Sequence, residues 1–210
     1  MSTPWSLEAN DLACVRGERL VFEGVSFAVA GGEALVLRGA NGSGKSTLLR
    51  LIAGLLRRAA GSLTWRGAET TEDPEAWHAA LCFVGHLDAV KPLFTVAENL
   101  AFWAALGGGK ADDLIPALER FGLANLADVP ARFLSAGQRR RLGLARLVAA
   151  PAPVWLLDEP TVSLDADSVA ALGLAMAEHR AGGGLVIAAT HADLGLEAAQ
   201  TLTLGAAEAA

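Results

Sequence analysis

The stretch GANGSGKST at positions 39–47 places three glycines, one lysine and three hydroxyl side chains within nine residues. It fits the pattern GxxxxGK[ST], which cradles phosphates when it follows a strand and opens a helix. Gly39, Gly42 and Gly44 let the backbone curl until its N–H groups point into one concavity. Asn41, Ser43 and Thr47 belong to the same cradle. The run STLLRLIAGLL that follows is helical in pattern, so its N-terminal dipole adds to the attraction for an anion. Lys45 would set a point charge on the terminal phosphates, and the Ser46 hydroxyl would ligate Mg²⁺. The chemistry is nucleotide binding.

Two further groups extend that chemistry. VWLLDEP (154–160) is an apolar strand ending in two carboxylates. A strand buried on both faces has little reason to end in Asp-Glu unless the carboxylates are used. Asp158 would hold Mg²⁺ through water, and Glu159 would polarise an attacking water as general base. His191 ends a second buried run, LVIAATHAD. Taken alone it reads as a satisfied loop residue; beside the other motifs it could reach a γ-phosphate and hold the water in line.

The segment FLSAGQRRRLGLA (133–145) poses a different question, because small residues run into three consecutive arginines before a helical pattern begins. A helix starting at Ser135 leaves free N–H groups at Ala136 and Gly137, which makes a second anion-binding helix start. One nucleotide has no use for two such cradles in one small domain. The economical solution is that Ser135, Gly137 and Gln138 meet the γ-phosphate held by a second copy of the chain. Arg139, Arg140 and Arg141 are then expected to strengthen the positive end or to face that partner. Leu142, Ala145 and Val148 form the buried stripe.

These groups need a framework to hold them. Short Val/Leu/Ile runs alternate with longer helical patterns, the signature of an α/β fold with a largely parallel central sheet. Strands are expected at 25–30, 33–39, 62–67, 81–85, 154–158, 184–190 and 201–205. Thr95 followed by Glu98 fits a capping box that starts one helix. GGGK (107–110) ends it, and another helix is expected over 111–123. Residues 92–150 thus read as a helical subdomain set into a single domain spanning 1–210. The closing GAAEAA is expected to fray.

Composition limits the partners. The chain of 210 residues carries a net charge of −6, which argues against general nucleic-acid binding. It has neither a recognisable signal peptide nor an apolar run near the ~20 residues of a membrane span. Yet the mean hydropathy of +0.37 is high and hints at a covered surface. Cys14 and Cys82 lack metal spacing and read as reduced core residues, consistent with the cytoplasm.

In the order phosphate loop, LSAGQ, LLDEP, SLD (163–165) and His191, the chain resembles the ATP-binding cassette ATPases along nearly its whole length. The resemblance implies a P-loop NTPase fold with a mainly parallel sheet, an N-terminal antiparallel β subdomain and an inserted helical subdomain. It also implies ATP and Mg²⁺ as ligands, and a head-to-tail pair of copies driving integral-membrane subunits. Ser135 and Gly137 would contact ATP in trans, and Asp165 would lie at the dimer seam. Three departures narrow the group. Ser-Ala-Gly stands where Ser-Gly-Gly is usual, and Arg16 stands where an adenine-stacking aromatic is usual. His86 replaces the customary Gln. With FTVAENL (94–100) and LSAGQRRRLGLARL, His86 makes the chain similar to the ATPases of the cytochrome c maturation haem exporters. There His86 would act on the metal through a water, or on the interface with the membrane partners. The resemblance places the chain on the cytoplasmic face of the inner membrane, with haem handled by the partners. The alternatives are another small bacterial exporter, a non-transport cassette protein acting on DNA or ribosomes, and a P-loop kinase or GTPase. The last would lack LSAGQ, and the non-transport proteins usually carry coiled coils or two cassettes in one chain.

Overall fold

A computed structural model describes residues 5–205 and divides its strands between two sheets. The final residues 206–210, where fraying is expected, lie outside the described residues. In the first sheet β1 (Ser6–Arg16) and β2 (Arg19–Ala30) form an antiparallel hairpin, extended by β4 (Ala60–Trp65) and β5 (Ala68–Glu69). The second sheet contains β3 (Ala34–Arg38), β6 (Leu81–Val84), β7 (Val154–Asp158), β8 (Leu185–Ala189) and β9 (Gln200–Thr203). It is parallel throughout, in the order β6-β7-β8-β3-β9.

Two sequence expectations need correction. No strand is expected over 6–16, yet β1 forms there and pairs with both β2 and β4. Its buried residues are Leu7, Ala9, Leu12 and Cys14. The spacing jumps from two to three at a bulge, where Asp11 has a φ of 49° and donates its N–H to Ser26 Oγ at 2.9 Å. An extra residue shifts the alternation by one, so the pattern does not read as period two. The second correction concerns the helix expected from Ala111. Residues Ala111–Asp113 form a 3₁₀ turn instead, and α4 covers Leu114–Arg120. Pro116 sets this boundary. In the first turn its missing N–H costs nothing, whereas a helix begun at 111 would put it in the interior.

The other helices are α1 (Lys45–Ile52), α2 (Pro74–Ala79), α3 (Val96–Leu106), α5 (Ala136–Ala149) and α6 (Ala166–Ala181). The capping box that starts α3 forms: Glu98 N–H donates to Thr95 Oγ1, and Thr95 N–H donates to Glu98 Oε2 at 2.8 Å. Its C-terminal boundary is Gly107, within the expected GGGK break.

Alternation on the central strands builds two cores. Val154 and Leu156 of β7 face one side with Leu185 and Ile187 of β8, packing on α1 and the antiparallel sheet. Trp155 and Leu157 face the other side with Val186 and Ala188, under α3, α4, α5 and α6. Every residue of β7 and β8 is buried, as their apolar sequences require. The carboxyl ends of β3, β7 and β8 therefore open into one crevice, where an open parallel sheet presents its ligand site.

Candidate functional site

At the end of β3 the chain turns into α1 through the glycine loop. Gly44 caps the helix with a φ of 99°, a left-handed conformation that an L side chain adopts only under strain. Gly39 is equally confined: a Cβ there would stand 2.4 Å from the Leu204 carbonyl. Lys45 is buried and folds its ammonium back onto the carbonyls of Gly39 and Ala40, at 2.8 and 3.0 Å. Asn41, Gly42, Gly44, Lys45, Ser46, Thr47 and Glu159 line one concavity of about 240 Å³. Ser43 points away from it into the protein, 1% exposed, so its side chain shapes the loop from behind.

Residues 112 positions apart meet at the floor of this site, where the Ser46 hydroxyl donates to Asp158 Oδ1 at 2.8 Å. Asp158 is only 2% exposed, and its Oδ2 has no hydrogen-bond partner among the described residues. A buried carboxylate oxygen left unpaired is costly. A hard divalent cation beside Ser46 would satisfy it, so the donor set fits Mg²⁺.

Glu159 follows with a φ of 46°, in the left-handed region that disfavours a non-glycine residue. Its N–H donates to the Ala189 carbonyl at the end of β8, at 2.8 Å. His191 lies just beyond that strand, its Nε2 3.8 Å from Glu159 Oε1 and its side chain about half exposed. Arg38 braces the His191 turn from below, donating to the Thr190 carbonyl at 2.7 Å. That brace is invisible in sequence, since its acceptors are main-chain atoms 152 residues away.

The start of α5 forms at Ser135 as expected, whereas Arg140 is buried and does not face outward. Ser135 Oγ accepts from Gln138 N–H, and Gln138 Oε1 accepts from Ser135 N–H, closing a capping box. This engages the Gln138 side chain in the cap, while Ser135 itself stays exposed. Arg140 turns inward and is 3% exposed. Arg141 donates to the Phe121 carbonyl at 3.0 Å, and Arg139 reaches back to the Leu134 carbonyl at 2.5 Å. The arginine run therefore ties α5 to its own molecule. Backbone carbonyls of the same molecule accept from all three guanidinium groups, and Arg140 also pairs with Asp88.

Asp165 caps α6 by accepting from Ser168 N–H at 2.9 Å, and this bonding to Ser168 holds its carboxyl below the usual range. Arg16 sits at the hairpin tip, where Gly17 and Glu18 both have positive φ, as a two-residue I′ turn requires. The tip brings Arg16 beside the phosphate loop, where a hollow of about 460 Å³ is lined by Arg16, Val21, Gly42 and Thr47 among others. His86 is exposed in the loop after β6. Neither hollow is lined by His86, Ser135, Gly137, Gln138, Asp165 or His191. One copy of the chain thus gathers the phosphate loop, Asp158, Glu159, His191 and Arg16, and leaves the α5 start outside.

A fold of this kind, with a phosphate loop and carboxylate-ended strand on one crevice, has well-defined relatives. The family described as ABC transporter matches residues 22–162, and the chain belongs to that family as an ABC-type ATPase. Within it, the chain is 55% identical to the "Cytochrome c biogenesis ATP-binding export protein CcmA" of Paramagnetospirillum magneticum, covering 95% of this chain and 94% of that protein. The protein of the same name from Rhodospirillum rubrum is 55% identical, covering 96% and 86%. Among solved structures, one described as the ATP binding subunit of an ABC transporter superimposes with a TM-score of 0.86 at 26% identity, covering 96% of this chain and 86% of that one. A bacterial Atm1-family ABC exporter with ATP bound shares the fold, with a TM-score of 0.84 at 23% identity over 99% of this chain and 39% of that one.

Proposed function

We propose that the chain is the ATP-hydrolysing subunit of the haem exporter of cytochrome c biogenesis, working as a head-to-tail pair on integral-membrane subunits. The reading is supported by the buried Ser46–Asp158 pair beneath the phosphate loop, together with the 55% identity to proteins named for cytochrome c export. No helix among the described residues is long and apolar enough to cross a membrane, so the membrane path is assigned to the partners. The pair docks at the cytoplasmic face of the inner membrane, and residues 92–150 act as an inserted helical unit. His86, which is exposed and lines neither hollow, belongs to the surface offered to the membrane subunits.

In the mechanism, the loop N–H groups and the α1 dipole hold the phosphates, and Lys45 exchanges its carbonyl partners for phosphate oxygens. Ser46, and Asp158 through water, would hold Mg²⁺, which would supply charge neutralisation. Glu159 takes a proton from the attacking water, and His191 orients that water toward the γ-phosphate. Ser135 and Gly137 of the second copy close the site, with Asp165 at the seam between copies. In a strain lacking the chain, covalent haem attachment to c-type cytochromes should fail. Wild type should restore it and Lys45→Ala should not; full restoration by Lys45→Ala would overturn the reading.

The base pocket yields a separate expectation. The Arg16 guanidinium can stack on a purine face, but a π-face contact reads no base edge. ATP and GTP should therefore compete within a few-fold. Arg16→Ala should weaken both by ~1 kcal/mol, on the scale of an exposed cation–π contact. Equilibrium titration with the two nucleotides checks this, and a strong ATP preference abolished by Arg16→Ala would contradict it.

A further inference from the structure

We infer that Arg140 is a positioning residue for hydrolysis, a buried strut that sets the Glu159 backbone according to where the Gly85–Asp88 loop and α5 lie. The inference rests on the reading of Glu159 as general base.

The guanidinium has five N–H donors, and it makes five contacts. Nε donates to the Pro160 carbonyl at 3.3 Å. One terminal nitrogen donates to the Gly85 carbonyl at 2.8 Å and to Asp88 Oδ1 at 3.2 Å. The other donates to the carbonyls of Asp158 at 3.0 Å and Glu159 at 2.7 Å. One side chain thus joins three pieces of chain: the first turns of α5, the loop after β6 that carries His86, and the turn that carries the two carboxylates. The loop also leans directly on α5. A Cβ at Gly143 would stand 3.3 Å from the Asp88 carbonyl, so the glycine permits the approach.

Glu159 gives this strut its consequence. The left-handed backbone at Glu159 persists only where its surroundings over-determine it. Three contacts do so: Ala189 accepts from its N–H, and its carbonyl accepts from Arg140 at 2.7 Å and, at the longer distance of 3.3 Å, from Val162 N–H. Without Arg140 the carbonyl keeps only the longer bond from Val162, and the peptide after Glu159 relaxes toward an ordinary conformation, which swings the carboxylate off the reacting water. Such a misplacement lowers rate and leaves binding alone, because Glu159 holds no phosphate in this reading. Displacement of the Gly85–Asp88 loop would pull on the same guanidinium. Hydrolysis becomes conditional on the position of the loop that carries His86.

The test uses the assembled membrane complex and measures kcat, KM for ATP and Tm for Arg140→Gln, Arg140→Lys and Glu159→Gln side by side. Arg140→Gln should lower kcat at least tenfold, with KM within about twofold of wild type. Arg140→Lys keeps the charge but has no planar fork to span Gly85 and Glu159, so it should not restore the rate. Wild-type kcat in either Arg140 variant, beside an inactive Glu159→Gln, would overturn the strut and leave the base assignment standing. An active Glu159→Gln would instead remove the base assignment. If Arg140→Gln does not fold, Asp88→Ala decides. It removes the charged half of the strut's loop end, leaving the Gly85 contact at 2.8 Å, and should lower kcat about threefold at constant KM; an unchanged kcat there would overturn the inference.

Discussion

Glu159→Gln is expected to bind ATP normally and to lose about 10²- to 10⁴-fold in hydrolysis, the range removed with a general base. The substitution preserves size and the three backbone contacts that hold residue 159, and so removes proton acceptance and little else. The carboxylate adjoins the phosphate loop across the same concavity, and His191 stands 3.8 Å from it. The neutral amide can still fill that space. A pair of chains closed on ATP should therefore persist, and sedimentation with bound nucleotide counted per chain should find it. Lys45→Ala should fail one step earlier, because an ammonium poised on two carbonyls at the loop is removed from the phosphates themselves. Single-turnover hydrolysis separates the two variants. Normal turnover by Glu159→Gln with the membrane partners present would show that another group takes the proton.

The contrast between Glu159 and Arg140 shows what a sequence discloses about such a site. The phosphate loop is legible because its chemistry is local: glycines, lysine and serine fall within one turn of chain, and the backbone itself does the binding. Asp158 and Glu159 are legible because an apolar strand ending in carboxylates contradicts its own burial. Arg140 is not legible. Four of its five acceptors are backbone carbonyls, which every residue possesses, and they lie 18 to 55 positions away. Three arginines in a row advertise charge, and charge suggests a surface; the fold uses the fork geometry instead. β1 is hidden for a related reason, since its bulge answers to Ser26 on the neighbouring strand. The trans role proposed for Ser135 and Gly137 rests on counting phosphate cradles, and a pair of chains with bound ATP would test it.

A last expected result concerns stability and comes from a residue outside the site. His179 lies in the final turn of α6, stacked on Trp155 with ring centroids 3.8 Å apart and planes within 7°. A cation at a helix C-terminus normally gains from the dipole, by about 0.3–1 kcal/mol. Burial opposes this and wins: desolvation pushes the imidazole down from 6.5 to about 4, against weak support from the backbone at Leu185 and Pro153. The folded state therefore holds His179 neutral, and the unfolded chain protonates first as acid is added. Stability from this source is complete above about pH 6.5 and is lost as pH falls toward 4. Each pH unit in that window carries about 1.4 kcal/mol, giving about 3 kcal/mol in full. Residual solvent contact of the ring reduces this to about 2 kcal/mol. Urea unfolding at pH 7.5 and 4.5 should show the decline in wild type. His179→Phe keeps an aromatic face on Trp155 and cannot titrate, so it should lose about that much less over the same interval. Carboxylates titrate in both proteins and cancel in the comparison. Parallel stability curves would mean that the ring accepts a proton in place, with Trp155 as a cation–π partner for the imidazolium.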